Sequence, residues 1–586
     1  MERRQRRYTL LAYCLCALLL ALSSGCTGAS NGSVRPSLSA PAEDDGKPRG
    51  YARVEAPWVN AGIGRLGAVS YDPPPDAIFV AARAVPSAAD GSRERPWPSI
   101  QQAVDAAPDG ATVAVRAGSY HESVRWSGKR LTLQPYRRER VWFDGSVPLH
   151  DWVRSGNTWR LDGWTYTFDR QPAFDALDPR RPLAAWPEMV FLDGRPLRQV
   201  AKATDVTPGT FHVDLAGQAL VLGSDPRGRE VRGSTLARAL TIRNAAGSVV
   251  RGIGVRRYAT PFDQVAAIAG FSDGLVFDRV ISEDNATNGL SVIGRESRVS
   301  RSAFRRNGQM GLHAHNVVGL SVTGNWLQGN NVEGFRHNFA QGGMKVTRGR
   351  DMRWEGNLVS ANQGDGMWCD IGCTDVEIVN NVVVDNAGRG IKYEISARGI
   401  IAANRIIDNT GGILVHESSD VLVYNNVVQG SGVAILALEG KRSGRPGHVP
   451  QDVVRVVLRN NIVGTRSAGT PLVALSGAIR KPLPRRVDAD FDIFIAPPGS
   501  SARALVRLPS REGLRVADAT SLESLRARTG QEAHGHTVAD ADAAQRTGPG
   551  APLPARVATA VGAEGGTPVP PGLIGTVPPP RVLGER

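Results

Sequence analysis

The chain has 586 residues, 41% of them hydrophobic, with 66 glycines and a formal charge of +14. A length of this kind fits either several domains or one elongated body that buries its core unit by unit, and the glycines supply many turns. The basic balance favours acidic partners such as uronate polysaccharide, teichoic polymers or phospholipid, while the absence of a recognisable binding motif argues against nucleic acid.

Residues 1–25 read as an export signal. Arg3, Arg4, Arg6 and Arg7 precede an apolar run from about Thr9 to Leu22, the pattern of a charged n-region and an apolar h-region. The protein is therefore expected outside the cytoplasm. Leu22-Ser23-Ser24-Gly25-Cys26 resembles a bacterial lipobox, with Ser23 standing where an aliphatic residue is usual. That resemblance implies a lipid on Cys26 and attachment to a membrane at the cell surface; ordinary cleavage and secretion is the alternative. Residues 26–76 are Ser, Gly and Pro-rich and read as a tether.

Residues 77–149 carry an N-terminal cap and the first coils. Ile100, Ala103, Val104 and Ala107 share one helical face after Ser99, an N-cap residue, and short alternating strands follow. An amphipathic helix at this place would cover the open end of a stack of strands. Residues 150–235 hold Trp152, Trp159 and Trp164 with two alternating segments around Asp193-Gly194 and Ala216-Gly217. These are hairpin signals, so the segment is a small β insertion whose tryptophans anchor its own core.

Residues 236–464 repeat with a period of roughly 22 to 24. Aligning Gly289, Gly311, Gly343, Gly366, Gly390, Gly412 and Gly432 gives the segments GLSVI, GLHAH, GMKVT, GMWCD, GIKYE, GILVH and GVAIL. The first residue after glycine is Leu290, Leu312, Met344, Met367, Ile391, Ile413 or Val433, and the third is equally apolar, so both columns line one interior. Asn325, Asn357, Asn381, Asn404 and Asn426 form one further column and Asn330, Asn362, Asn386 and Asn409 another. Asparagine tolerates left-handed backbone, and its amide can bond its own copy one coil away. The pattern predicts an all-β solenoid, a parallel β-helix. Residues 331–342 lengthen one repeat by about nine residues and should project as a loop. Residues 465–539 hold late strands and a short helix, and residues 540–586 are Pro, Ala and Gly-rich with the composition of a disordered tail.

The outward columns carry the chemistry. The second position holds Ser291, His313, Lys345, Trp368, Lys392, Leu414 and Ala434; the fourth holds Ile293, His315, Thr347, Asp370, Glu394, His416 and Leu436. A solvated sheet face also carries charge. Here, however, two carboxylates, two lysines, a tryptophan and three of the chain's ten histidines fall on a few central rungs. Asp370 and Glu394 are expected about one rung apart, a spacing that suits the carboxyl pair of a retaining glycosidase, with mutual repulsion raising one pKa. Asp370 with Glu417, or Glu333 from the loop, would give the wider gap of an inverting enzyme. Trp368, His313, His315 and His416 would bind substrate, and Arg336 and His337 on the loop would wall the groove. Cys369 and Cys373 either bond across residues 370–372 or leave Cys369 as a buried thiol.

The opening over residues 77–149 and the Asn and Gly repeats resemble exported pectate-lyase-like right-handed β-helix proteins, over roughly residues 77–461. The resemblance implies a right-handed parallel β-helix acting on polysaccharide, and a monomer is expected. It also implies an alternative chemistry, a uronate lyase or C5-epimerase with Lys345 or Lys392 as base and Ca²⁺ on Asp370 and Glu394. A hydrolase would need no cofactor. A non-catalytic glycan-binding or structural surface protein is the third reading, since fold does not set function. The hydrolase with an Asp/Glu pair is the leading expectation.

Overall fold

The computed structural model describes residues 50–172, 176–262, 265–440, 442, 449, 451–465, 470–477, 486–495, 506–509, 516–538 and 553–561. The leader, most of the tether and Cys26 lie outside the described residues. Each coil contributes one strand to each of three sheets of thirteen strands, stacked in parallel register with one antiparallel closing strand, Val516–Ala519 against Val506–Pro509. The chain passes from the glycine-led sheet (for example Met310–His315) to a second sheet (Ser321–Thr323), then a third (Trp326–Gln328), and back at Gly342–Thr347. This is the expected solenoid, and its interior is one continuous apolar column running from Val80 to Leu525.

The alternation in each strand explains the core. Leu290, Leu312, Met344, Met367, Ile391 and Ile413 pair in register and are fully buried, as are Val292, Ala314, Val346, Cys369, Tyr393 and Val415. In the last repeat the expected register is wrong by two residues. Ile413 pairs with Ile435 and His416 with Leu438, so the outward residues are Leu436 and Leu438, not Ala434 and Leu436. Ser431 belongs to the preceding strand, Val427–Ser431, where a bulge absorbs the extra residues and displaces Gly432 from its column.

Both asparagine columns are buried ladders. Asn325, Asn357, Asn381, Asn404, Asn426 and Asn461 each pass an Nδ2–H to the next Oδ1 at 2.9–3.0 Å, ending on Asp492. A parallel ladder runs from Asn285 through Asn307, Asn330, Asn362 and Asn386 to Asn409. The same Oδ1 atoms accept backbone N–H groups that the turns would otherwise leave unpaired, for example Asn325 N to Asn357 Oδ1 at 2.9 Å.

The ends clad the solenoid. Ser99 caps the helix Ile100–Ala106, which buries Ile100, Ala103 and Val104 over the first coil. From residue 50 the expected tether is instead a helix, Gly50–Asn60, whose Trp58 packs with Ile63 and Leu66 on the outer row Ile281, Ala303, Trp326, Leu358 and Val382 of the third sheet. Within the expected tail, Ala555–Val561 is a helix that lays Val557, Ala558 and Ala560 on Val379, Ile400, Ala402 and Tyr424 of the second sheet. In both cases a composition that is poor in core residues still supplies enough apolar side chains to cover an apolar outer row. The insertion forms one four-stranded and one five-stranded sheet around Trp164, Val190, Phe211, Leu220 and Leu222, with Trp152 and Trp159 packed beside them. Terminal helices thus cover two outer faces, and the glycine-led sheet presents the third.

Candidate functional site

The outward columns of the glycine-led sheet converge as a charged cluster on three successive coils. Lys345, Trp368 and Lys392 stand side by side in register. The two ammonium groups approach the indole from neighbouring rungs, Nζ lying 3.4 Å and 3.7 Å from the ring centroid. Each lysine also pairs with a carboxylate of the fourth position: Lys345 with Asp370 at 2.7 Å and Lys392 with Glu394 at 2.9 Å. Strand register alone brings these four charges together, because positions two and four of one strand point to the same face.

The cluster is buried, which the alternation did not anticipate. Trp368 is only 1% exposed, so it is not an open platform; both ring faces are taken by lysines, and it does not offer the stacking surface expected of it. Loop 331–342 and Arg442 contribute to the burial. Loop 331–342 folds over this face and the Phe339 carbonyl accepts from Lys345 Nζ at 2.7 Å. Phe335 and Phe339 pack on Phe262, and Leu177 of the insertion pairs with Phe335, so the insertion braces the loop. On the other side Arg442 donates to Glu394 Oε1 at 2.9 Å and Glu417 Oε2 at 2.6 Å. Arg442 was missed from sequence. Its signal was available: Asn426 and Asn461 are 35 residues apart in the ladder, against 22 to 24 for regular coils, marking a second inserted loop.

Electrostatics assign states to these groups. Burial alone would raise the Glu394 carboxyl, but Lys392, His416 and Arg442 outweigh it and hold the group well below the ordinary carboxylate range. His416 Nδ1 lies 2.9 Å from Glu394 Oε1. Burial would lower Lys392, yet Glu394, Asp365 and Asp370 raise it, so it is a fixed ammonium. The raised pKa expected from carboxylate repulsion is therefore absent at Glu394, because each carboxylate has its own cation. Glu333 is where a carboxyl is raised, to about 7, by burial against the opposing pull of Arg181. It sits on the Asn307–Gly308 turn, its N–H donating to the Gly308 carbonyl at 3.2 Å.

The remaining expected residues divide. His313 bonds Ser291 Oγ at 3.0 Å and His315 bonds Thr347 Oγ1 at 2.7 Å, both through Nδ1. Burial, then His315 and Lys345, lowers His313 to about 3, and burial with Arg348 lowers His315 to about 4, so both imidazoles are neutral at physiological pH. Arg336 and His337 lie on the loop flank that faces the insertion: Arg336 N donates to Ala176 O, and His337 is exposed near Asp178. Glu417 is fully buried and shares Arg442 with Glu394. Cys369 and Cys373 are bonded, with Cα atoms 6.2 Å apart, and Cys369 keeps its place in the interior column.

The donor set does not suit Ca²⁺. The oxygens of Asp370 and Glu394 already face ammonium, guanidinium and imidazole groups, and among the described residues no group of three or more His, Cys, Asp or Glu side chains is placed to hold a metal ion.

Comparison with known proteins agrees with this architecture. No curated protein sequence matches the chain. Among solved structures, the complex of XylC with xylose superposes with a TM-score of 0.59 at 14% identity, covering 79% of this chain and 86% of that one. A structure described as a glycoside hydrolase gives 0.45 at 12% identity over 62% and 96% of the two chains. Pectate lyase Pel9A gives 0.35 at 14% over 71% and 80%. Likeness at these identities speaks for the fold alone. The family model for the right handed beta helix region matches residues 266–428, the coils that carry the cluster, and the solenoid is a right-handed parallel β-helix.

Proposed function

We propose that the protein cleaves a glycosidic bond of a polysaccharide by hydrolysis, with Asp370 and Glu394 as the reacting carboxyl pair. The observation that carries this reading is the placement of the two carboxylates at the same outward position of successive coils, each fixed by its own lysine. Buried ion pairs are poor stability devices, since well-packed apolar residues at such positions are often as stable or more so. A cluster of this density is better accounted for by chemistry than by folding. Glu394, held ionised, is suited to attack the anomeric carbon, and Asp370 is then the group that exchanges a proton with the leaving oxygen. A structure holding xylose shares this fold, and in this reading the ligand here is likewise a sugar. In the same reading the basic, apolar leader exports the chain and Cys26 anchors it to a membrane.

A second reading, elimination from a uronate, is favoured by one observation. Lys392 is a fixed ammonium and a poor base, but the neutral imidazoles of His313 and His315 lie on the same face.

The test is a screen of purified protein on neutral and uronate glycans, following reducing ends and the ultraviolet absorbance of unsaturated ends. Reducing ends without unsaturation are expected, and Glu394→Gln and Asp370→Asn should each lower turnover by about a thousandfold or more. Azide should rescue the variant that lacks the nucleophile. Unsaturated product would replace hydrolysis by elimination; unchanged turnover in both variants would remove this site.

A further inference from the structure

At the end of five successive glycine-led strands the chain turns through one residue with left-handed backbone, giving the column Asn316, Arg348, Ile371, Ile395 and Glu417, with φ between 46° and 54°. Left-handed backbone disfavours a bulky side chain, so an arginine there has a cost. Elsewhere in the solenoid arginines in such turns offset it in one way. Arg306 bonds Asp284, Arg398 bonds Asp375 and Arg455 bonds Asp420, each aspartate being the left-handed residue of the adjacent coil. The other left-handed arginines are likewise occupied: Arg137 by Asp72, Arg257 by Asp144, Arg279 by the Ala61 carbonyl and Arg301 by Asp278.

Arg348 breaks this rule. The equivalent residue one coil earlier is Asn316, which cannot supply a carboxylate, and Arg348 Nε is buried with no hydrogen-bond partner. The residue as a whole is part-exposed. Its own N–H donates to the Asp370 carbonyl at 3.1 Å, which ties it beside the reacting pair, and it acts electrostatically on His315, whose Nδ1 bonds Thr347. A guanidinium without its carboxylate, close enough to act on a neutral imidazole and carried on backbone bonded to Asp370, is a receptor for an anion that the chain does not provide.

We propose that Arg348, with His315 beside it, is a subsite for the carboxylate of an acidic sugar, so that the polymer cleaved at Asp370 and Glu394 carries uronic acid next to the scissile bond. This rests on the glycan-cleaving reading of the face.

The test uses binding calorimetry with two probes, oligosaccharides containing glucuronic acid and the same oligosaccharides after carboxyl reduction. The wild-type protein should bind the acidic probe about tenfold or more tightly than the reduced one, a difference in the range of one charge-assisted contact. Arg348→Gln should lose that preference while keeping its affinity for the reduced probe. Asn316→Asp should lose it too, by supplying the intrachain partner that other coils have, without removing the arginine. Equal binding of the two probes by wild type, no binding of either, or an undiminished preference in both variants would overturn the subsite. Turnover by Asp370→Asn and Glu394→Gln separates the two claims: intact turnover in both, with preference lost in Arg348→Gln, removes the proposed chemistry and leaves the subsite standing.

Discussion

Asn357→Ala is the sharpest probe of what holds the coils together. Asn357 is fully buried in the middle of its ladder. Its Oδ1 accepts from Asn325 N at 2.9 Å and Asn325 Nδ2 at 3.0 Å, while its Nδ2 donates to Val322 O at 2.9 Å and Asn381 Oδ1 at 2.9 Å. Alanine removes all four bonds, but the consequences are unequal. Asn325 Nδ2 keeps Val299 O and Asn381 Oδ1 keeps the backbone N of residue 357, so each retains a partner. Asn325 N–H retains none. One orphaned buried donor costs about 1–3 kcal/mol, and the three bonds lost elsewhere add about 1 kcal/mol each, giving about 4–6 kcal/mol in total. Urea unfolding followed by tryptophan fluorescence should show the midpoint fall with an unchanged slope. Asn357→Asp keeps the acceptor for Asn325 and should be milder below the pKa of the new carboxyl than above it. A loss in Asn357→Ala below about 1 kcal/mol would refute the claim that the ladder, and not sheet pairing alone, secures these turns.

The histidines predict an acid weakness. Their folded pKa values, about 3 for His313 and about 4 for His315, lie below the unfolded value, so the unfolded chain binds more protons and stability is lost as pH falls from about 6.5 toward 4. His315→Gln should flatten that part of the unfolding profile, and an unchanged slope would count against a neutral buried imidazole. The far end predicts the opposite dependence. Asp492 ends the first ladder beside Glu532; burial, foremost, raises Asp492 to about 6, and burial followed by Asp492 raises Glu532 well above its ordinary value. Groups raised on folding stabilise fully below their unfolded pKa and lose that contribution as pH rises through about 6. Asp492→Asn, which keeps the Oδ1 acceptor for Asn461, should therefore raise the melting temperature at pH 8 more than at pH 5; equal shifts at both would reject the linkage.

Much of this molecule was legible from periodicity. The interior columns, both ladders and the side-by-side placement of Lys345, Trp368, Lys392, Asp370 and Glu394 follow from strand alternation and coil spacing, which are local and repeat. What failed was whatever depended on insertions. The bulge at Ser431 shifted the last register, since a bulge has no compositional mark strong enough to outweigh a well-placed glycine. The burial of Trp368 and the pairing of Glu394 with Arg442 depend on where loop 331–342 and Arg442 come to rest, which is not written in the period. The helices at residues 50–60 and 555–561 were hidden for a related reason: their apolar partners are hundreds of residues away in sequence.

The glycine-led sheet has a metric of its own beneath its covering loop. Successive coils rise by about 4.8 Å, close to the length of one pyranose unit, so a glycan lying along the solenoid axis would advance by about one sugar per coil. The face then works as a ruler. Ser291, His313, Lys345, Trp368 and Lys392 mark consecutive graduations along one line, and under the proposed cleavage a substitution several coils away would change which product lengths are released without altering the rate of the bond-breaking step.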